Sequence, residues 1–238
     1  MIKTPVHITP SPIIEANVEW RFQPVIPKET ILGVLYEKVK NEFTKLEKLP
    51  SAFLPPEILE NDPTLQYAPM YRLIESNFTI QVGYHSISFH LNNKYSGWQF
   101  FEKKLFNFFQ TLKETSIFQK PTSFSMRYIN FFEYEVYPNL NLNVLLNGEE
   151  PRLDNLILRM ELAEHNFLKV LQFANKASII QNQVQKEGSL VDITCIYSND
   201  DYLQSFENLA NQAHQLIKNT FFSLLKEDFI ERFNPRYI

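Results

Sequence analysis

Glycine is scarce in this 238-residue sequence. Average usage of about 7% would give roughly seventeen glycines, whereas the chain has five, which stand apart from one another at Gly33, Gly83, Gly97, Gly148 and Gly188. Phosphate loops and dinucleotide-binding turns need closely spaced glycines, because their backbone N–H groups must approach the anion. The isolated glycines therefore argue against both nucleotide-binding classes, and the Gly-x-Ser-x-Gly turn of many hydrolases is also missing.

Cysteine, basic charge and long apolar runs are equally sparse. The single cysteine, Cys195, excludes an internal disulfide and any cysteine-based metal cluster. A formal net charge of -4 argues against a dedicated nucleic-acid-binding protein, which needs a concentrated Lys/Arg surface. No segment approaches the run of about eighteen apolar residues that spans a membrane, and the first residues contain no apolar signal sequence. We therefore expect a cytoplasmic protein without membrane association, whose partner is not nucleic acid.

Alternating residues predict strands with one buried face. From Ile14 to Phe22 every second residue is apolar and the residues between them are polar, which is the period of a half-buried strand. The segment around Phe124 repeats this pattern, and both segments end in an arginine followed by an aromatic residue. We therefore expect two related halves, residues 1–120 and 121–238, that together form one compact unit.

The rest of the pattern predicts an α+β fold. Apolar residues at helical spacing predict one helix from near Glu29 through Leu46, one that follows Ser96, and one at about 202–227. Consecutive strands separated by turn signals pair antiparallel, and the second half contains four of them at 155–163, 167–174, 178–186 and 189–198. We expect curved antiparallel sheets packed on long helices, in two pseudo-repeated β-α-β(3-4)-α halves. The arrangement is analogous to TATA-binding-protein-like and helix-grip folds, an analogy that carries no activity with it.

Three further segments bear on function. The connection 49–69 contains five prolines, too many for a continuous helix or a central strand, so it either has a function or wraps a hydrophobic surface. Gln181, Gln183 and Gln185 point to one side of a predicted strand, which indicates a sheet edge, a solvent face or a partner-binding groove. Aromatic residues continue to the end of the chain, and they predict that the tail docks against the body or another subunit.

Arg21 and Arg127 occupy corresponding places in the two halves. Guanidinium groups on a concave sheet face can clamp a carboxylate or a phosphate bidentately, and Asn130 is placed to join them. The other interpretation is that each arginine pairs with a carboxylate such as Glu15, Glu19 or Glu133 across the sheet. The sequence leaves both open, so Arg21, Arg127 and Asn130 are the candidate ligand-binding residues.

The sequence predicts no catalytic residue, no metal site and no cofactor. There is no His-Glu-x-x-His motif and no cysteine pair. The pattern allows a metal site at Glu161, Glu164 and His165, although the same residues are typical of a solvated turn. Glu133 and Glu135 share one strand face, as acid–base pairs do when they are buried together, but exposed strands carry such pairs routinely.

Three motifs carry a resemblance to a protein family. The segments Pro12–Phe22, Tyr95–Phe101 and Arg127–Asn130 are similar to those of a sporadically distributed family of uncharacterised bacterial proteins. The similarity spans most of the chain, and beyond about residue 150 it is limited to the strand run and the closing helix. The resemblance implies no activity; the patchy occurrence of the family implies horizontal transfer and a place in mobile or defence-related gene clusters.

The leading hypothesis is a non-catalytic cytoplasmic interaction protein, an accessory component of a mobile or defence-related bacterial system, whose partner is a protein or a further copy of the chain. It rests on the missing catalytic signatures, the polar strand, the proline-rich connection and the apolar tail. The alternative is a small-anionic-ligand-binding protein or an unrecognised enzyme, with a pocket between sheet and helices where Arg21, Arg127 and Asn130 converge. A third hypothesis, a nucleic-acid-binding saddle suggested by the fold analogy, is disfavoured by the acidic balance.

Overall fold

A computed structural model describes residues 4–92, 95–151, 155–181 and 183–237, which contain nine strands and five α-helices. The strands are β1 Ile13–Phe22, β2 Lys45–Lys48, β3 Tyr71–Ile74, β4 Phe78–Val82, β5 Ser86–Leu91, β6 Pro121–Phe132, β7 Ile157–Glu164, β8 Phe167–Gln181 and β9 Val184–Tyr197. The helices are α1 Ile31–Val39, α2 Pro56–Asn61, α3 Trp98–Lys113, α4 Phe206–Leu224 and α5 Glu227–Glu231. Within these described ranges no helix is long and apolar enough to cross a membrane.

All nine strands belong to one sheet, in the order β2-β3-β4-β5-β1-β6-β9-β8-β7. Strands that follow each other closely in sequence pair antiparallel, as in β2-β3-β4-β5 and in β7-β8, and β1 pairs antiparallel with β5. The predicted α+β class and antiparallel pairing are therefore confirmed, with a single large sheet.

The chain divides into two compact units. The Trp20 unit comprises Glu15–Met126 and Ile196–Ala210, and the His214 unit comprises Met1–Ile14, Arg127–Cys195 and Asn211–Ile238. The expected halves, 1–120 and 121–238, were drawn from the sequence pattern and stay a prediction.

Aromatic side chains bury one sheet face of the Trp20 unit. Trp20 is fully buried, and its ring centroid lies 5.8 Å from Phe108, 5.9 Å from Phe109 and 5.6 Å from Phe206. Such pairs contribute about 0.5–1.5 kcal/mol each beyond the area that they bury. The alternation predicted for β1 is confirmed, because every second residue of the strand from Ala16 to Phe22 is at most 1% exposed.

In the His214 unit, β6 packs against α4, α5 and the C-terminal tail. The Tyr128 ring lies 5.8 Å from His214, and the Phe132 ring lies 6.5 Å from Phe221 and 5.9 Å from Phe229. Burial, with a smaller contribution from Lys218, lowers the pKa of His214 to about 4, so this histidine is uncharged at neutral pH. The tail docks on the unit itself, because Phe229 is fully buried among these rings.

The first helix is shorter than its spacing predicts. Helix α1 ends at Val39, and Lys45–Lys48 forms β2, in which Leu46 is 48% exposed. Phe43 is buried although it lies beyond the helix. The helical spacing of Phe43 and Leu46 was therefore coincidental, and no proline or glycine after Val39 marks where the helix ends.

The second half contains three of the four predicted strands, because β8 and β9 form one long hairpin. Its turn includes Gln183, which has a positive φ of 64°, so Gln181, Gln183 and Gln185 do not lie along one strand. The predicted turns at Asn175-Lys176 and Glu187-Gly188 fall inside the strands. Asn175 is tolerated inside the strand because, although it is only 4% exposed, its Oδ1 accepts a hydrogen bond from the Leu156 amide.

Gly188 is needed in β9 because the backbone of β6 passes close to it. A Cβ at this position would stand 1.9 Å from the carbonyl oxygen of Phe132. Overpacking an interior position costs about 1–3 kcal/mol, so we expect Gly188→Ala to lower the free energy of unfolding by at least about this amount. Urea unfolding followed by intrinsic fluorescence measures the change.

Gly33→Ala in α1 is the matched control for this substitution. A Cβ on Gly33 meets nothing within 4 Å, and alanine is favoured over glycine inside a helix by roughly 0.5–1 kcal/mol. We therefore expect the control to be as stable as the wild type or more stable. A Gly188→Ala variant with wild-type stability would contradict the close approach of the two strands.

Candidate functional site

The strands of the Trp20 unit carry polar side chains on the sheet side opposite the aromatic core. Side chains alternate along a strand, so the neighbours of Trp20 on β1 point away from α3. The cross-strand register aligns one polar row over five strands, Glu47, Arg72, Gln81, Ser88 and Glu19. This row and six further residues on the same side of the sheet are called the polar face below: Glu15, Asn17, Arg21, Thr79, Ser86 and His90.

Three residues of the polar face form a hydrogen-bonded chain. Ser88 Oγ lies 2.8 Å from His90 Nε2, and His90 Nδ1 lies 3.3 Å from Glu15 Oε1. Asn17 Nδ2 donates to the same carboxylate oxygen at 2.6 Å. Ser88 and Asn17 are each 7% exposed. A hydroxyl, an imidazole and a carboxylate linked in this order form the arrangement that activates serine for attack on an acyl group.

Arg21 ties the proline-rich connection to the polar face. Its Nε donates to Glu19 Oε1 at 2.7 Å, and its guanidinium lies 4.1 Å from the centre of the Tyr67 ring. The Tyr67 carbonyl accepts a hydrogen bond from Ser86 Oγ at 2.8 Å. The end of the connection therefore packs on polar side chains of the sheet, and the Arg21 charge is balanced by Glu19.

Arg127 and Asn130 lie in the His214 unit and project to opposite faces of β6. Arg127 binds Asp192 bidentately, with its Nε 3.0 Å from both carboxylate oxygens and its Nη2 2.5 Å from Oδ2. The Asp192 side chain is only 3% exposed, so removal of the arginine would leave a buried charge unpaired, which is costly. Asn130 shares the face of Tyr128 and donates to the Val191 carbonyl at 3.2 Å. The structure therefore does not bring Arg127 and Asn130 together, and Arg21 belongs to the other unit.

The proline-rich connection and the strand before it expose large apolar side chains. Phe53 is 72% exposed, Ile58 47% and Leu54 37%, and Leu46 of β2 is also largely exposed. The short helix α2 buries only Leu59, so Ile58 faces outward. We call Leu46, Phe53, Leu54 and Ile58 the apolar segment, because these exposed side chains lie close together in sequence; contiguous exposed apolar patches mark interaction sites.

Two small cavities lie in the Trp20 unit. One is lined by residues such as Phe89 and Lys104 and has a volume of about 90 Å³, and the other is lined by residues such as Ile31 and Tyr84 and has a volume of about 110 Å³. Pockets for small-molecule ligands have volumes of about 300–1,000 Å³. These two cavities are therefore too small for a typical ligand.

Thiol chemistry is disfavoured at Cys195, because burial raises the pKa of its thiol to about 12. Among the described residues, no group of three or more His, Cys, Asp or Glu side chains is placed to hold a metal ion. Glu161 is ion-paired with Arg159 and Glu164 with Lys169, and His165 occupies the β7–β8 turn.

No protein-family model and no curated protein matches this chain. The resemblance to the sporadic bacterial family therefore stays a prediction from the motifs.

Sequence reasoning missed the Ser88, His90 and Glu15 chain. One signal was present, because Ser88 and His90 are two positions apart on a predicted strand and so share a face. Glu15 reaches His90 only through the pairing of β1 with β5, which sets Asn17 opposite His90. That register joins residues far apart in sequence, and no local pattern encodes it.

Proposed function

We propose that the protein is a non-catalytic cytoplasmic interaction protein that binds a protein partner through the apolar segment. The observation that carries the proposal is the exposure of Phe53, at 72%, among three other large apolar side chains within residues 46–58. The connection that holds them is anchored, because Ser51 Oγ donates to the Pro69 carbonyl and the Leu49 amide donates to the Met70 carbonyl. The apolar side chains are therefore presented by an ordered backbone.

The energetics of burial support a contact surface here. Burying an exposed apolar side chain completely contributes about 1.5–3 kcal/mol, and a few large anchors dominate most interfaces. An ordered segment loses less conformational entropy on binding than a flexible one. Phe53 is the expected anchor, with Leu54 and Ile58 beside it in sequence.

We also propose that the two halves are related repeats. The strand order supports this, because β1 is followed outward by β5, β4, β3 and β2, while β6 is followed outward by β9, β8 and β7. In both halves the first strand lies beside the last, and a long helix follows that last strand. The analogy to TATA-binding-protein-like and helix-grip folds belongs to this proposal. The family resemblance supports a role as an accessory component of a mobile or defence-related bacterial system.

The anionic-ligand alternative gains no support from the contacts. Arg21 is paired with Glu19 and Arg127 with Asp192, so each guanidinium already has a carboxylate partner. Asn130 donates to a backbone carbonyl.

Co-purification from the native host at endogenous expression level tests the interaction proposal. We compare the wild-type chain with the double variant Phe53→Ser/Ile58→Ser, and expect recovery of the partner to fall by about tenfold or more, as the loss of a hot spot implies. Tyr134→Ser is the matched control, because Tyr134 is 48% exposed and lies in the other unit. Surface substitutions change stability little, so all variants are expected to fold. Equal recovery from all three, or a wild-type monomer without a partner under every growth condition, would refute the proposal.

A competing candidate function, which would replace the non-catalytic role, is favoured by the Ser88, His90 and Glu15 chain: hydrolysis of an ester by acyl transfer. Ser88 Oγ attacks the carbonyl carbon while His90 Nε2 takes the hydroxyl proton, and Glu15 stabilises the resulting imidazolium. His90 then passes that proton to the departing alcohol, and a water molecule releases the acyl group from Ser88. Gln81 lies opposite Ser88 in the β4–β5 register, and its side-chain amide can donate to the developing oxyanion.

A fluorophosphonate probe tests this second function, since it phosphonylates activated serines. We expect one covalent adduct per chain at Ser88 in the intact-mass spectrum and its loss in Ser88→Ala. His90→Gln should slow labelling by about 10²–10⁴-fold, the usual contribution of a general base. Ser86→Ala is the control, because the Ser86 hydroxyl donates to the Tyr67 carbonyl. A wild-type chain without an adduct, or an adduct that survives in Ser88→Ala, would eliminate this function.

A further inference from the structure

Among the strands in the described part of the chain, β7 ends the sheet and has a neighbouring strand, β8, on one side only. It is eight residues long and contains no proline or lysine. Its three charged side chains, which could otherwise oppose pairing with another chain, are neutralised by ion pairs: Arg159 with Glu161, and Glu164 with Lys169. Ile157 is 77% exposed and Leu162 44%. An open edge of this length with exposed apolar side chains is a template for a further strand.

We propose that β7 pairs antiparallel with β7 of a second copy of the chain, about a two-fold axis that passes midway between the two Met160 residues. This pairing would join two nine-stranded sheets into one continuous sheet across the dimer.

Charge complementarity selects this register. Arg159 and Glu161 lie on the same face of β7, are about half exposed and pair with each other. With Met160 opposite Met160 of the second copy, each Arg159 lies directly opposite Glu161 of the other chain. Opposite charges at directly opposed positions contribute roughly 0.2–1 kcal/mol per pair, and like charges there destabilise.

Neighbouring registers are penalised by the same two residues. Moving the axis to residue 159 sets the two arginines opposite each other, and moving it to residue 161 does the same for the two glutamates. On the other sheet face, the Met160 register also forms two symmetry-related pairs, in each of which Leu158 of one chain lies opposite Leu162 of the other. Charged and apolar pairs therefore favour the same arrangement.

The proposal is independent of the function proposed above, because β7 contains no residue of the apolar segment or of the polar face. A dimer through β7 and a partner at Phe53 can be gained or lost separately.

Sedimentation equilibrium of the full chain over a range of concentrations tests the pairing by charge exchange. We expect the wild type to dimerise and Arg159→Glu or Glu161→Arg to raise the dissociation constant by about tenfold or more, since each creates two like-charge contacts. The double exchange Arg159→Glu/Glu161→Arg should restore the wild-type constant. Ile180→Glu is the control, because Ile180 is 81% exposed on the β8–β9 hairpin and lies outside β7. A wild-type monomer at all concentrations, single variants that dimerise like the wild type, or dissociation caused by Ile180→Glu instead would overturn the proposal.

Disulfide trapping gives a second, geometric readout. Opposed residues of an antiparallel pair have Cα atoms about 4.5–5.5 Å apart, inside the disulfide range of about 4.4–6.8 Å. Met160→Cys should therefore form a covalent dimer with a mild oxidant, whereas Ile157→Cys should not, because the two copies of that residue would be about 20 Å apart. The native Cys195 is fully buried, so we expect it to contribute little cross-linking of its own. Equal cross-linking of both variants, or none in Met160→Cys, contradicts the register.

Discussion

The burial of Trp20 determines how every neighbouring strand presents its side chains. Its ring is enclosed by Phe108, Phe109 and Phe206, so one face of β1 is held against the helices. Because side chains alternate along a strand, Glu19 and Arg21 must point to the opposite side. The paired registers of β5, β4, β3 and β2 carry this orientation across the unit. The polar face is therefore a consequence of aromatic packing.

A sheet with one apolar face has its other face and its edges available for chemistry. In the Trp20 unit the polar face holds the Ser88, His90 and Glu15 chain, and the proline-rich connection presents Phe53 on an anchored backbone. In the His214 unit β7, which ends the sheet among the described strands, presents an open edge with a self-complementary charge pair. These features involve different residues, and the β7 edge belongs to a different unit from the other two.

The sequence predicted what depends on local periodicity. The predicted alternation corresponds to the buried face of β1 from Ala16 to Phe22, and the helical spacing after Ser96 corresponds to α3 Trp98–Lys113. Asn175 and Gly188 were misread as turn residues although both lie inside strands. Asn175 is there because its side chain accepts a hydrogen bond from the Leu156 amide, and Gly188 is there because the backbone of β6 leaves no room for a Cβ. The pairs that define the candidate sites join residues far apart, such as Arg127 with Asp192 and Glu15 with His90. Their contacts depend on strand register, which local patterns do not contain.

The most direct test of this one-sided sheet compares two adjacent residues of β1 that face opposite sides. Urea unfolding should show that Trp20→Ala lowers the free energy of unfolding by about 3–5 kcal/mol, as expected for a buried tryptophan. Glu19→Ala should lower it by less than about 1 kcal/mol, because its ion pair with Arg21 is partly exposed. Similar losses for the two variants would contradict the account.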